Sequence, residues 1–206
     1  MPSLSGVVAD FVSEILLSQP KRAPFAKFAK QIEQEVLSGS VRQVSTETGY
    51  PEIEFTDAHG SYPVHRTSSM VSELAPIVLL LQRSIAAGDL LLIEEPESHL
   101  HPATQVTLAK VLFQLAQSGV LVFVTTHSDF FVSEVNNLLR SRVINGDIEA
   151  SSSSSAYWME KGVDGSRLRP LEIDPVDGIS DDSFAAVAAS LYETQVDQQL
   201  SLVGEA

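Results

Sequence analysis

The sequence predicts an α/β fold built on a parallel sheet, and three observations predict it. Residues 90–93, Leu-Leu-Leu-Ile, are a continuous apolar run, the pattern of a strand buried on both faces. Residues 120–125, Val-Leu-Val-Phe-Val-Thr, are a second such run. Between them Val106, Leu108, Ala109, Leu112, Phe113 and Leu115 recur at helical spacing, with Gly119 as a C-terminal stop. Strand, helix, strand is a right-handed crossover, which sets the two strands parallel. Both runs therefore end at one edge of one sheet, the edge where α/β proteins place ligands.

Taken in order, residues 1–40 are helical in pattern. Val7, Val8, Phe11, Val12, Ile15 and Leu16 form a strong stripe within residues 4–17, and after Pro20 a more polar helix runs from Lys21 to Leu37. Residues 41–66 hold three short alternating segments, 41–44, 52–57 and 61–65, with a turn signal at Asp57–Gly60. They predict an antiparallel patch. Residues 67–145 hold the core elements. Apolar residues at 70, 71, 74, 77, 78, 81 and 85 mark one helix face, in which Pro76 must lie near the first turns or cause a kink. Ser68 or Ser69 can cap that helix. Pro96 ends the first buried strand, and Pro102 suits the first position of the next helix. After the second strand, Ser128 or Asp129 can cap a helix over 130–139.

Residues 151–155 are five serines, a low-complexity stretch that predicts a mobile loop. Residues 156–200 predict a hairpin turning at Gly162–Gly165. A helix starting at Asp181 or Asp182 follows, with Phe184, Val187, Ala188 and Leu191 on one face. The tail from Ser201 is expected to fray.

At 206 residues, 44% hydrophobic and 19% charged, the chain can bury a sizeable core. It has no cysteine, which removes disulfides and thiolate metal sites. No apolar run is long enough to span a bilayer, and Met1–Phe11 has no basic leader, so a cytoplasmic location without membrane contact is expected. Net charge is −14, and after Arg169 there are eight acids and no Lys or Arg. A generic nucleic-acid surface needs clustered basic residues, so DNA is expected as a partner only indirectly, if at all.

The candidate chemistry lies at the ends of the two buried runs. The first continues as Glu94-Glu95-Pro96-Glu97-Ser98-His99-Leu100-His101-Pro102, and the second ends in His127. Two carboxylates at a strand end are costly to bury without a cation or a hydrogen-bond partner. A rival reading takes Glu97, His99 and His101 as zinc or manganese ligands, although a turn before a proline need not aim all three at one point.

Residues 90–105 and 120–129 resemble the Walker B, D-loop and histidine-switch segments of ABC-type ATPases. They are most similar to AAA-type members related to the SMC and OLD proteins, in which Ile-Glu-Glu-Pro-Glu followed by Leu-His-Pro is frequent. The resemblance extends over about residues 40–195. It implies a P-loop NTPase-like sheet flanked by helices, with an incomplete N-terminal lobe. It also implies ATP binding and hydrolysis with Mg²⁺ as cofactor. Residue by residue, it implies that Glu94 binds Mg²⁺ through water, and that Glu95 orients the attacking water. His127 would reach the γ-phosphate, and Ser98-His99 would occupy the D-loop. Ser68 and Ser69, within Thr67–Met70, stand where the signature segment sits, although both of its glycines are missing. A helix N-terminus with a free hydroxyl still suits phosphate. The chain departs from the family in one larger respect: it contains no G-x-x-x-x-G-K-[ST]. Three explanations are expected to account for this. The chain is part of a longer or split ATPase whose N-terminal lobe lies elsewhere, and the whole works as a head-to-tail homodimer. Or the product is truncated and non-catalytic. Or the fold serves as a protein-interaction module.

Overall fold

The computed structural model describes residues 24–46, 49, 51–147, 153–179 and 182–204, except the side chains of 182–185 and 201–204. The helix expected over 4–17, the start of the one expected from Lys21, Ser151, Ser152 and Asp181 lie outside these residues. The chain divides into two compact units, residues 1–135 and 136–206.

In the first unit, α1 (Ala26–Gln31) continues into a π-helical segment, Ile32–Leu37, which ends at Ser38 in the left-handed region. Phe28, Ala29, Ile32, Val36 and Leu37 are buried, which accounts for helix in a stretch otherwise rich in Lys, Gln and Glu. Glu33 ties this segment to its neighbours. Its Oε1 accepts from the Val41 amide at 2.7 Å and from Gln82 Nε2 at 3.2 Å.

Strands β1 (Ser40–Ser45), β2 (Pro51–Asp57) and β3 (Gly60–Pro63) form an antiparallel sheet in that order. The β2–β3 turn is closed by Asp57, whose Oδ1 accepts from the amides of His59 and Gly60. Val64 and His65, read from the sequence as strand, instead form a 3-10 turn over Val64–Arg66. The Val64 carbonyl accepts from Thr67 Oγ1 at 2.6 Å and Ser72 Oγ at 3.0 Å, bonds that draw it away from a strand partner.

Helix α2 (Ser69–Arg83) follows, with Pro76 in its interior rather than its first turn. Val71, Leu74, Ala75, Val78, Leu79 and Leu81 are buried, and that burial outweighs the backbone bond lost at the proline. Strand β4 (Leu90–Glu94) and strand β5 (Leu121–Thr125) pair in parallel, Leu90 opposite Leu121 and Glu94 opposite Thr125. Helix α3 (Pro102–Gln117) joins them. It begins at Pro102, with His101 Nδ1 accepting from the Ala103 amide. It stops before Gly119, whose φ of +96° only glycine adopts without strain. Leu108, Val111, Leu112 and Leu115 face inward at i, i+3, i+4 and i+7, in one core with Leu91, Ile93 and Val120.

The reading of both strands as buried on both faces is corrected. Leu91 and Ile93 are buried, but Leu90 and Leu92 are each 64% exposed, Leu121 62% and Phe123 46%. The core covers one face of this two-stranded sheet. The register sets Leu90 beside Leu121 and Leu92 beside Phe123, so the other face presents a continuous apolar patch.

Helix α4 (Asp129–Ile144) contains the division between the units. In the second unit, β6 (Ala156–Gly162) and β7 (Gly165–Leu171) make a hairpin with Gly162 opposite Gly165. A short pair, β8 (Ile173–Asp174) and β9 (Gly178–Ile179), is held to Asn136, whose Oδ1 accepts from the Ile179 amide at 2.8 Å. Helix α5 (Asp182–Gly204) runs past Ser201, where fraying was expected, and its predicted apolar face is open at Val187 and Leu191. Among the described residues no helix is long and apolar enough to cross a membrane.

Candidate active site

The register that pairs Glu94 with Thr125 brings the two polar strand ends together. Beyond the last pair, the Glu95 amide donates to the Thr125 carbonyl at 3.0 Å and to Thr125 Oγ1 at 3.2 Å. Glu95 itself has φ +42°, a left-handed conformation that non-glycine residues enter at a cost. This turns the chain out of the strand and into a tight turn, closed by the Ser98 amide on the Glu95 carbonyl at 2.9 Å.

The Glu95 side chain then lies between two partners. Its Oε2 accepts from Ser98 Oγ at 3.2 Å, and its Oε1 is 3.5 Å from His127 Nε2. The His127 side chain is 88% exposed and that of Glu95 45%, so both are open to a ligand and to water. Glu94, at the end of β4, is exposed, and among the described residues its carboxylate has no hydrogen-bond or ion-pair partner. A free carboxylate beside a half-buried one suits a hydrated divalent cation, whose waters need acceptors.

The other sequence candidates separate. Ser68 is the N-cap of α2, its Oγ accepting from the Val71 amide at 3.4 Å, and Ser69 is exposed at the first helical position. Neither bonds to Glu94, Glu95 or His127. Their helix is nevertheless tethered to the acid turn, because His99 Nε2 lies 3.3 Å from Glu73 Oε1 on α2. His99 is also left-handed, at φ +62°. The metal rival fails on direction. Glu97 bonds to residues 126 and 127, His99 faces Glu73, and His101 caps α3. Among the described residues no group of three or more His, Asp or Glu side chains is placed to hold a metal ion directly.

Sequence reasoning missed Thr125, Thr126, Gln105 and Glu73, and gave Glu97 only to the rival. Gln105 bridges the two turns: its Nε2 donates to the Leu100 carbonyl at 3.0 Å, and its Oε1 accepts from Ser128 Oγ at 2.5 Å. One signal was present. The two assigned roles use two of the three acids in Glu94–Glu97, which leaves Glu97 without one.

A parallel strand pair with an acid turn at one tip and a histidine at the other fits the P-loop NTPase-like class of ATPase domains. Within that class, residues 7–133 match a family model described as "AAA domain, putative AbiEii toxin, Type IV TA system", and the chain belongs to that family. Among solved structures, it is similar to an SMC head bound to the C-terminal winged-helix domain of ScpA, with 13% identity, 81% of this chain and 55% of that one covered, and a TM-score of 0.51. It is also similar to an SMC ATPase studied for ATP-driven dimerisation and DNA-stimulated activation, with 14% identity, 80% and 89% coverage, and a TM-score of 0.49. An SMC head domain from Thermotoga maritima matches at 13% identity, 80% and 52% coverage, and a TM-score of 0.42. The chain thus spans about half the length of two of these. Among curated proteins no sequence match was found.

Proposed function

We propose that the chain carries the acid and histidine side of an ATP-hydrolysing site. The observation that carries this is the pair Glu95–His127, 3.5 Å apart on adjacent parallel strand ends and open to a ligand. In this reading Glu95 accepts a proton from, or orients, the attacking water, with Ser98 Oγ holding the carboxylate's other oxygen. His127, paired to that carboxylate, contacts the γ-phosphate. Glu94 accepts hydrogen bonds from water on Mg²⁺. When bound, the cation offsets charge on the phosphates. Ser68 or Ser69, at a helix N-terminus, meets the γ-phosphate held by a second subunit in a head-to-tail dimer.

The sequence has no G-x-x-x-x-G-K-[ST], so the phosphate cradle is supplied by an N-terminal lobe or split partner. The open face of β4 and β5 supports this, since parallel sheets are covered on both faces when complete. The chain alone is then expected to bind Mg-ATP weakly and turn over negligibly. Supplied with the cradle, it should hydrolyse ATP, and Glu95→Gln should lower kcat by about 10²-fold or more while nucleotide binding persists. Tight Mg-ATP binding by the isolated chain in calorimetry, or an unchanged kcat in Glu95→Gln, would defeat the reading. The same apolar face favours a second reading, a non-catalytic interaction module, which predicts no hydrolysis with any partner lobe.

A further inference from the structure

Glu97 has no part in the chemistry proposed above, yet it is the most buried of the three acids, at 6% exposure. Its Oε1 accepts from Thr126 Oγ1 at 2.5 Å and from the His127 amide at 2.9 Å. Its Oε2 is buried with no hydrogen-bond partner among the described residues. Burying a carboxylate in this way is costly. The turn does not need it for closure, because the backbone bonds Ser98–Glu95 and Leu100–Glu97 already close it. What the carboxylate adds is a hold on the second strand's exit, about 30 residues away in sequence.

That hold falls on a residue whose ring is little restrained. The only polar contact of the His127 imidazole among the described residues is Glu95, and the side chain is 88% exposed. The ring's position is therefore set mainly by its backbone. Gln105 clamps the neighbouring Ser128, but only Glu97 bonds the His127 backbone from the acid turn. We propose that Glu97 is a positioning residue for His127: it fixes residues 126–127 against the acid turn, so that the imidazole meets Glu95 and any phosphate placed there. Its importance for turnover rests on the ATPase reading, while the positioning itself does not.

Amide hydrogen exchange on the purified full chain tests the positioning directly. In Glu97→Ala the His127 amide should exchange about tenfold faster or more, while strands β4 and β5 keep their protection. Glu97→Gln, whose carbonyl can accept from both donors, should restore the wild-type rate. Unchanged protection of His127 in Glu97→Ala would overturn the proposal. If Glu97→Ala loses protection everywhere, Thr126→Val decides. Faster exchange of the His127 amide, read apart from Ser128 because the Ser128 amide donates to Thr126 Oγ1 at 3.0 Å, supports the role, and an unchanged His127 amide refutes it. Given a partner lobe that supports hydrolysis, Glu97→Ala should lower kcat at constant KM, with Glu97→Gln restoring it. Failure of every partner to support hydrolysis would remove the ATPase reading and leave the exchange result standing.

Discussion

Ser128 shows how much one side chain can carry at this site. Its Oγ accepts from the Phe131 amide at 3.0 Å, capping α4, and donates to Gln105 Oε1. It is buried, so both bonds are shielded from water. Ser128→Ala removes the cap and leaves Gln105 Oε1 without this donor. The expected loss is about 1–2 kcal/mol in urea unfolding, with α4 frayed at its start. At this scale the sequence was informative where chemistry follows from position along the chain. Glu94, Glu95 and His127 follow two apolar runs, and a parallel pairing in register brings their ends together. Glu97, Thr126 and Gln105 were not legible. Their partners lie 23–30 residues away, and which partner each finds depends on the turn conformations at Glu95 and His99. A left-handed glutamate and histidine leave no mark in composition.

Among the elements, the β8–β9 turn offers a pH-dependent measurement. Asp174 Oδ1 accepts from the Asp177 amide at 2.9 Å and from the Val176 amide at 2.7 Å. These bonds, that from Asp177 first, hold the carboxyl below its ordinary value of 3.8. A lowered folded value means the turn is stabilised above the ordinary value, and that this stabilisation is lost as pH falls through the lowered one. The Val176 and Asp177 amide resonances should therefore titrate together with a midpoint below 3.8. A midpoint at or above it would contradict the geometry. Elements were legible where periodicity was strong, as in α3, and where glycines marked a turn, as at Gly162–Gly165. The exposed face of β4 and β5 was misread for a physical reason. An apolar run records that a face is to be covered, not which chain covers it.

For the molecule as a whole, the same face sets its behaviour in solution. Leu90, Leu92, Leu121 and Phe123 are contiguous and open, against a net charge of −14. Charge repulsion is screened beyond roughly 10 Å at 0.1 M salt, whereas apolar contact is not. Static light scattering of the isolated chain should show mass rising with concentration and with salt. Leu92→Glu combined with Phe123→Glu should hold it monomeric without lowering the melting temperature, since both side chains already meet water. A wild-type chain that stays monomeric across that range would mean the face is already closed.

The left-handed backbone at Glu95 also bears on attempts to make the protein more robust. Stability is shared by every residue of a cooperative fold, so strain at one position lowers the melting point of the whole unit. Glycine relieves such strain, worth about 1–2 kcal/mol, but it also widens the unfolded ensemble and deletes the contact with Ser98, and thermal unfolding of Glu95→Gly reads the balance. The substitution would also delete the carboxylate proposed to act on water. Where relief of strain is the larger effect, a selection for heat resistance alone discards Glu95, and a selection for turnover keeps it. Running both on one library would show whether thermal tolerance and catalysis compete at this single position.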